Sequence, residues 1–187
     1  MKTALKNDNK SIVYSDKDLF EIIVARVKAG NNGATIFVPH VCNNADAFGA
    51  GFAAQVAQKY PIVKENYHML GKNFLRQNFG YCQLVQVYED PKYKHKLIFA
   101  NMIAQNGFKN PQNPRPLNYL ALVKSMNSMS QHIMLKTGFA TKNEKIEIHC
   151  PKFGSGLAGG NWNFVSELIE DIWSKYFVTV YNYRPQS

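Results

Sequence analysis

The sequence predicts an α/β fold built on a mainly parallel sheet, and three observations carry that expectation. Strand-like apolar runs alternate with helix-like periodic segments through nearly the whole chain. Residues 34–41 are apolar almost without a break, as a strand covered by helices on both faces is. Two glycine-rich turns, Gly49-Ala50-Gly51 and Gly154-Ser155-Gly156, stand ahead of predicted helices.

Taken in order, a polar leader over 1–11 is expected to be flexible, and 12–14 reads as a short strand. Within 16–28, Leu19, Ile22, Ile23 and Val27 share one helical face, and Gly30-Asn31-Asn32-Gly33 stops that helix. The strand 34–41 ends in Pro39-His40-Val41 and passes into a loop, 42–48. A helix over 49–59 carries Phe52, Ala53, Val56 and Ala57, and closes at Tyr60-Pro61 because proline disfavours helix in the residue before it. A second helical piece covers 63–71. Strands at 81–89 and 96–103 flank a turn with Asp90, Pro91 and Lys92. Three prolines, three asparagines and a glycine make 106–116 a loop. Helical spacing returns at 117–136, a strand follows at 145–149, then the second glycine turn, a helix at 161–176 and a last strand at 177–183.

At 187 residues the chain suits one domain spanning 1–187. Its 45% hydrophobic and 19% charged residues exclude a disordered chain. Lys and Arg number 22 against 13 Asp and Glu, a formal charge of +9, which points to an anionic partner: nucleotide, nucleic acid or acidic membrane. No apolar run is long enough to span a bilayer, and the polar, basic start is no secretion signal, so no membrane association is expected. Cys42, Cys82 and Cys150 are odd in number and form no CxxC pair, which fits reduced thiols, a cytoplasmic location and no structural zinc. His68, His95, His132 and His149 lack ligand spacing, so neither a metal nor a cofactor is expected. Lys92, Lys94 and Lys96 read as solvated surface. An RNA groove stays open on charge alone, with no RNP-like motif behind it. The Walker pattern, H-E-x-x-H and G-x-S-x-G are all absent.

The glycine turns are the chemistry-bearing feature. Glycine lets backbone N–H groups reach an anion with no Cβ in the way, and the following helix adds partial positive charge at its start. Either turn alone is more often a plain tight turn; two at the carboxyl edge of one sheet suit a diphosphate. A dinucleotide-binding Rossmann fingerprint does not fit. The first turn follows a long loop, and the second leaves only one helix and one strand before the chain ends.

Two segments, 40–53 (His40-Val41-Cys42-Asn43-Asn44-Ala45-Asp46-Ala47-Phe48-Gly49-Ala50-Gly51-Phe52-Ala53) and 151–162 (Pro151-Lys152-Phe153-Gly154-Ser155-Gly156-Leu157-Ala158-Gly159-Gly160-Asn161-Trp162), resemble the two ligand loops of macro domains. A histidine, nine residues on from which stands G-x-G-[FI]-A, is similar to the branch of ADP-ribose 1''-phosphate phosphatases and terminal ADP-ribose protein glycohydrolases. The stretch 12–19 resembles the opening strand and its Gly-Asp-[IL] step, with Lys17 in place of glycine, and Thr179-Val180-Tyr181 resembles the terminal strand.

The resemblance implies a three-layer α/β/α macro domain with a mixed, mainly parallel central sheet, acting as a monomer. Its implied ligand is ADP-ribose or ADP-ribose 1''-phosphate, and its implied activity hydrolysis of the latter or a related derivative; the alternatives are a non-catalytic ADP-ribose reader and a basic RNA-binding domain. Asp18 and Leu19 would meet the adenine; Asn43, Gly49, Ala50 and Gly51 the distal ribose and phosphates; Gly154, Ser155, Gly156, Leu157, Ala158 and Gly159 the diphosphate, with Tyr181 a further binding candidate. His40 and Asn43 would carry catalysis, an imidazole relaying a proton. Without the resemblance, His40 reads first as a strand-end histidine bonded to backbone; with it, the two readings weigh equally. The glycohydrolase lysine has no match in Met102-Ile103-Ala104-Gln105, the loop aspartate is Ala158, and Asn161 stands where many relatives carry aspartate.

Overall fold

A computed structural model of the chain describes residues 12–137 and 145–182; the leader over 1–11 and Tyr183, at the end of the expected last strand, lie outside them. Its elements are β1 (Ile12–Ser15), α1 (Leu19–Val27), β2 (Thr35–Asn43), α2 (Gly51–Lys59), α3 (Pro61–Gln77), β3 (Cys82–Glu89), β4 (Lys96–Gln105), α4 (Tyr119–Thr137), β5 (Ile146–Pro151), α5 (Trp162–Trp173) and β6 (Phe177–Tyr181). The local chemistry explains the helix starts. Asp18 Oδ1 accepts from the N–H groups of Phe20 and Glu21 at 2.7 and 3.1 Å, Pro61 opens α3, and Asn161 accepts from Asn163 N–H at 2.9 Å.

The six strands lie in the order β1-β6-β5-β2-β4-β3, every neighbouring pair parallel except β3 with β4. Side chains alternate across the central strands. Phe37, Ile98, Ala100 and Met102 face Leu122, Met126, Ile169 and Trp173 of α4 and α5. Ile36, Val38, Leu97 and Phe99 face Phe20, Ile23, Val56 and Tyr67 of α1, α2 and α3. Helices thus cover both faces, the three-layer arrangement with a mixed, mainly parallel sheet. Because five strands point the same way, their carboxyl ends share one edge, and the loops leaving them converge there.

Several boundaries shift by a few residues from expectation, and three of the shifts matter here. Strand β2 continues to Asn43, paired with β4 across a register shift at Cys42/Asn43, so the first loop starts later. Gly49 precedes the helix, which begins at Gly51 with Ala50 extended before it. Helix α3 does not stop at Gly71 but resumes beyond it to Gln77. Gly71 takes φ 75°, ψ 152°, with nothing within 4 Å of where a Cβ would stand, so it kinks the helix instead of ending it.

Candidate functional site

The carboxyl edge of the sheet opens into a cleft of about 900 Å³. Its walls follow the strand order. Asp16 and Asn182 leave β1 and β6, the 151–158 loop leaves β5, Asn43 and 47–53 leave β2, and Gln105, Phe108 and Lys109 leave β4.

The first loop is folded by Asn43. Its Oδ1 accepts from Ala45 N–H at 2.9 Å and Ala47 N–H at 3.2 Å, and its Nδ2 donates to the Ala47 carbonyl at 2.7 Å. Tyr67 of α3 reaches in and donates to the Asn43 carbonyl at 2.8 Å. One residue on in the same helix, His68 meets the Asp46 carboxylate at 2.7 Å, where Asp46 holds the left-handed φ of 63°. Phe48 is buried between His40 and Tyr67. The loop then rises to Gly51, whose φ is +57°; a Cβ there would lie 3.2 Å from Leu157 Cδ1 of the second loop. The two glycine loops are therefore close neighbours on one rim of the cleft.

The second loop closes on itself. Gly160 N–H donates to Gly154 O at 2.8 Å and Gly159 N–H to Gly156 O at 3.0 Å, while Ser155 Oγ donates to Lys152 O at 2.9 Å. Leu117 N–H, just before α4, donates to Ala158 O at 3.0 Å and fixes the loop from below. The far wall is equally tied down. Asn44 donates to Asn106 Oδ1 at 3.0 Å and accepts from Gly107 N–H at 2.9 Å, so the loop expected at 106–116 is pinned to the first loop, carrying half-exposed Phe108 and Lys109 into the cleft.

His40 lies in the floor, 2% exposed, with ring edges against Phe48 and Phe52. Its Nε2 is 2.7 Å from Asn101 Oδ1 and its Nδ1 3.7 Å from Cys42 Sγ. Burial, opposed in part by the Asn101 hydrogen bond, lowers its pKa to about 4, so the imidazole is neutral at pH 7. Burial also pushes the Cys42 thiol well above its ordinary value, and it stays protonated.

Of the residues singled out from sequence, His40, Asn43, Gly49, Ala50, Gly51, Gly154, Ser155, Gly156, Leu157 and Ala158 all line this cleft. Four do not. Asp18 caps α1 through Oδ1 and is exposed just outside the lining, and Leu19 is buried on α1; the carboxylate on the cleft lining is Asp16, which accepts from Asn182 Nδ2 at 2.8 Å. Gly159 turns against the backbone of Pro114. Tyr181 is buried with its hydroxyl 2.7 Å from His149 Nδ1, because strand alternation turns it into the core on the α1–α3 face of the sheet. Asn43 lines the cleft, but its amide is occupied in shaping the loop.

Sequence reasoning missed Asp16, Asn182, Phe108, Lys109 and Lys152 as cleft residues. Only the parallel strand ends bring them together; for Asp16, Lys152 and Asn182 a polar residue directly after a strand was the available signal, and Phe108 and Lys109 carried none. Among the described residues, no group of three or more His, Cys, Asp or Glu is placed to hold a metal ion, and no helix is long and apolar enough to cross a membrane.

No family model matches the chain. It is 25% identical to an uncharacterised 17.5 kDa protein of Enterobacteria phage T4 over 166 residues, 87% of this chain and 93% of the phage protein. It is 24% identical to the ADP-ribose 1''-phosphate phosphatase of Lodderomyces elongisporus over 173 residues, 87% of this chain and 92% of the yeast one. Among solved structures, a Bacteroides thetaiotaomicron protein of unknown function superposes with a TM-score of 0.72 at 26% identity, over 92% of this chain and 98% of that one. A macrodomain protein from Streptomyces coelicolor does so with a TM-score of 0.64, also at 26% identity, over 92% and 99%.

Proposed function

We propose, from the premise that this chain belongs to the macro domain family, that its cleft binds ADP-ribose-type nucleotides and that it hydrolyses the terminal phosphate of ADP-ribose 1''-phosphate or a related derivative. The observation that carries the reading is the meeting of Gly51 and Leu157: two N–H-rich turns share one rim of a cleft large enough for a dinucleotide. Lys152 and Lys109, at separate points of the same rim, add positive charge for the phosphates. The name of the yeast relative supports the choice of substrate. In this reading the adenine lies toward β1 and β6, the diphosphate across both loops, and the distal ribose over β2 and β4.

The neutral imidazole of His40 acts as general base. It takes a proton from the water that attacks phosphorus, the P–O bond to the distal ribose breaks, and the sugar oxygen is reprotonated by the imidazolium so formed. Loop amides stabilise the charge gathering on the phosphoryl oxygens, and Asn43 keeps those amides in place. Calorimetry with ADP-ribose and an assay of free phosphate from the phosphorylated nucleotide test both halves. Binding together with release of phosphate that falls about 100- to 10,000-fold in His40→Ala is the expected result. Release that His40→Ala leaves unchanged overturns the assignment of the base, and failure to bind ADP-ribose overturns the reading itself.

A second reading, a reader that binds without turnover, is favoured by the deep burial of His40 and by the use of both Oδ1 and Nδ2 of Asn43 in bonds within its own loop. Tight binding with no phosphate released selects it. Three buried free thiols, Cys42, Cys82 and Cys150, suit a reducing compartment such as the cytoplasm.

A further inference from the structure

Beneath the cleft a row of amides runs across three strands from α3 to His40. Gln83 Nε2 of β3 lies 2.9 Å from the Asn66 backbone carbonyl, Asn101 Nδ2 of β4 lies 3.0 Å from Gln83 Oε1, and Asn101 Oδ1 lies 2.7 Å from His40 Nε2. Asn101 is fully buried and stands opposite His40 in the β2–β4 register. Amide orientations are ambiguous in isolation, but this row starts at a backbone carbonyl, which can only accept. Gln83 must therefore turn its NH₂ to Asn66 and its oxygen to Asn101. Asn101 in turn must offer NH₂ to Gln83 and oxygen to His40, and that oxygen demands a proton on Nε2.

We propose that Asn101, oriented by Gln83, is the positioning residue of the site: it fixes His40 as the tautomer protonated at Nε2, leaving the Nδ1 lone pair directed along β2 toward the cleft. The direction follows from the strand. Nδ1 faces Cys42, two residues nearer the carboxyl end of β2, and Cys42 itself lines the cleft. The inference rests on the proposed role of His40 as base, and it names the nitrogen that takes the proton. Among the described residues, the groups against the ring are Phe48 from the first loop, Phe52 from α2, Asn101 from β4 and Cys42 from β2, and of these Cys42 is the titratable one.

The tautomer can be read without any ligand. In a long-range ¹H–¹⁵N correlation spectrum of the wild-type protein at pH 7, with the ring signals assigned by their loss in His40→Gln, His40 should show a protonated Nε2 and an unprotonated Nδ1. The reverse pattern overturns the proposal. In Asn101→Asp a carboxylate replaces the amide oxygen. The His40 titration should then rise by at least one pH unit, and the acid limb of phosphate release should move with it, while ADP-ribose affinity stays within about threefold. A titration that does not move overturns the proposal. Gln83→Leu, at a half-buried position, keeps the test open if Asn101→Asp does not fold: freeing the Asn101 amide should give a mixture of ring tautomers, and a spectrum identical to wild type also counts against it. If the wild-type protein releases no phosphate, the activity reading fails while the nitrogen spectra still decide the orientation.

Discussion

Two buried histidines sit on adjacent strands, on the same face of the sheet, and the molecule accommodates them by opposite means. His40 on β2 has only uncharged partners, the Asn101 amide and the Cys42 thiol. His149 on β5, 5% exposed, bonds Glu147 Oε2 through Nε2 at 3.0 Å and the Tyr181 hydroxyl through Nδ1. Glu147 also takes Arg26 of α1 at 2.7 Å and Lys145 at 3.0 Å. Burial would raise the Glu147 pKa, but hydrogen bonds from His149, Arg26 and Lys145 outweigh it and hold the carboxyl far below its usual range. One region gives a buried imidazole uncharged partners, the other seats it against a carboxylate that also holds two cations. The two are divided by place: the imidazole with uncharged partners lies in the floor of the cleft, and ion pairing is used where α1 is fastened to the sheet.

Removing the centre of the charged region should have the largest effect. Glu147→Ala leaves Arg26 and His149 without their acceptor and should cost about 3 kcal/mol in urea unfolding at pH 7; a loss under about 1 kcal/mol would erase the contrast. Acid should next separate the two regions. The folded pKa of His40 is depressed, to about 4 from 6.5, so its contribution is complete above pH 6.5 and disappears as pH falls toward 4. That amounts to about 3 kcal/mol. The Glu147 pKa is depressed as well, so its contribution is complete above its unfolded value of 4.5 and is lost only below it. Urea midpoints of the wild type should therefore already decline between pH 6.5 and 4.5, and those of His40→Gln should not.

Smaller effects sharpen the same contrast. Gly51→Ala places a Cβ in a left-handed turn and against Leu157, which should cost about 1 to 2 kcal/mol and weaken ADP-ribose binding several-fold by calorimetry. Tyr181→Phe deletes one buried hydrogen bond, for about 1 kcal/mol of stability. It should leave ADP-ribose affinity unchanged, because that hydroxyl serves His149 and not the cleft.

The layered fold was legible because its signals are periodic and local: the unbroken apolar run of β2, the helical spacing of α1 and α2, and the glycine turns ahead of helices. Gly71 was misread because a glycine in a helical pattern signals a stop, whereas open space beside it here permits a kink. The cleft was legible at its two glycine loops and nowhere else. Asp16, Asn182 and Phe108 share it through strand order, and Asn101 meets His40 through register; neither is written in local spacing. The Glu147–His149 pair did carry a signal. Lys145, Glu147 and His149 alternate along one strand and so share a face, yet their partner Arg26 is 121 residues away from Glu147.

Strand β6 lies between β1 and β5. Among the described residues β1 therefore has no strand to bond until β6 has been translated and slotted in, and the hydrogen bond from Asn182 to Asp16, spanning 166 positions, waits on the same step. On the ribosome, that corner of the rim can assemble only after β6 has emerged, by which time β2, β4 and β5 are already free to pair.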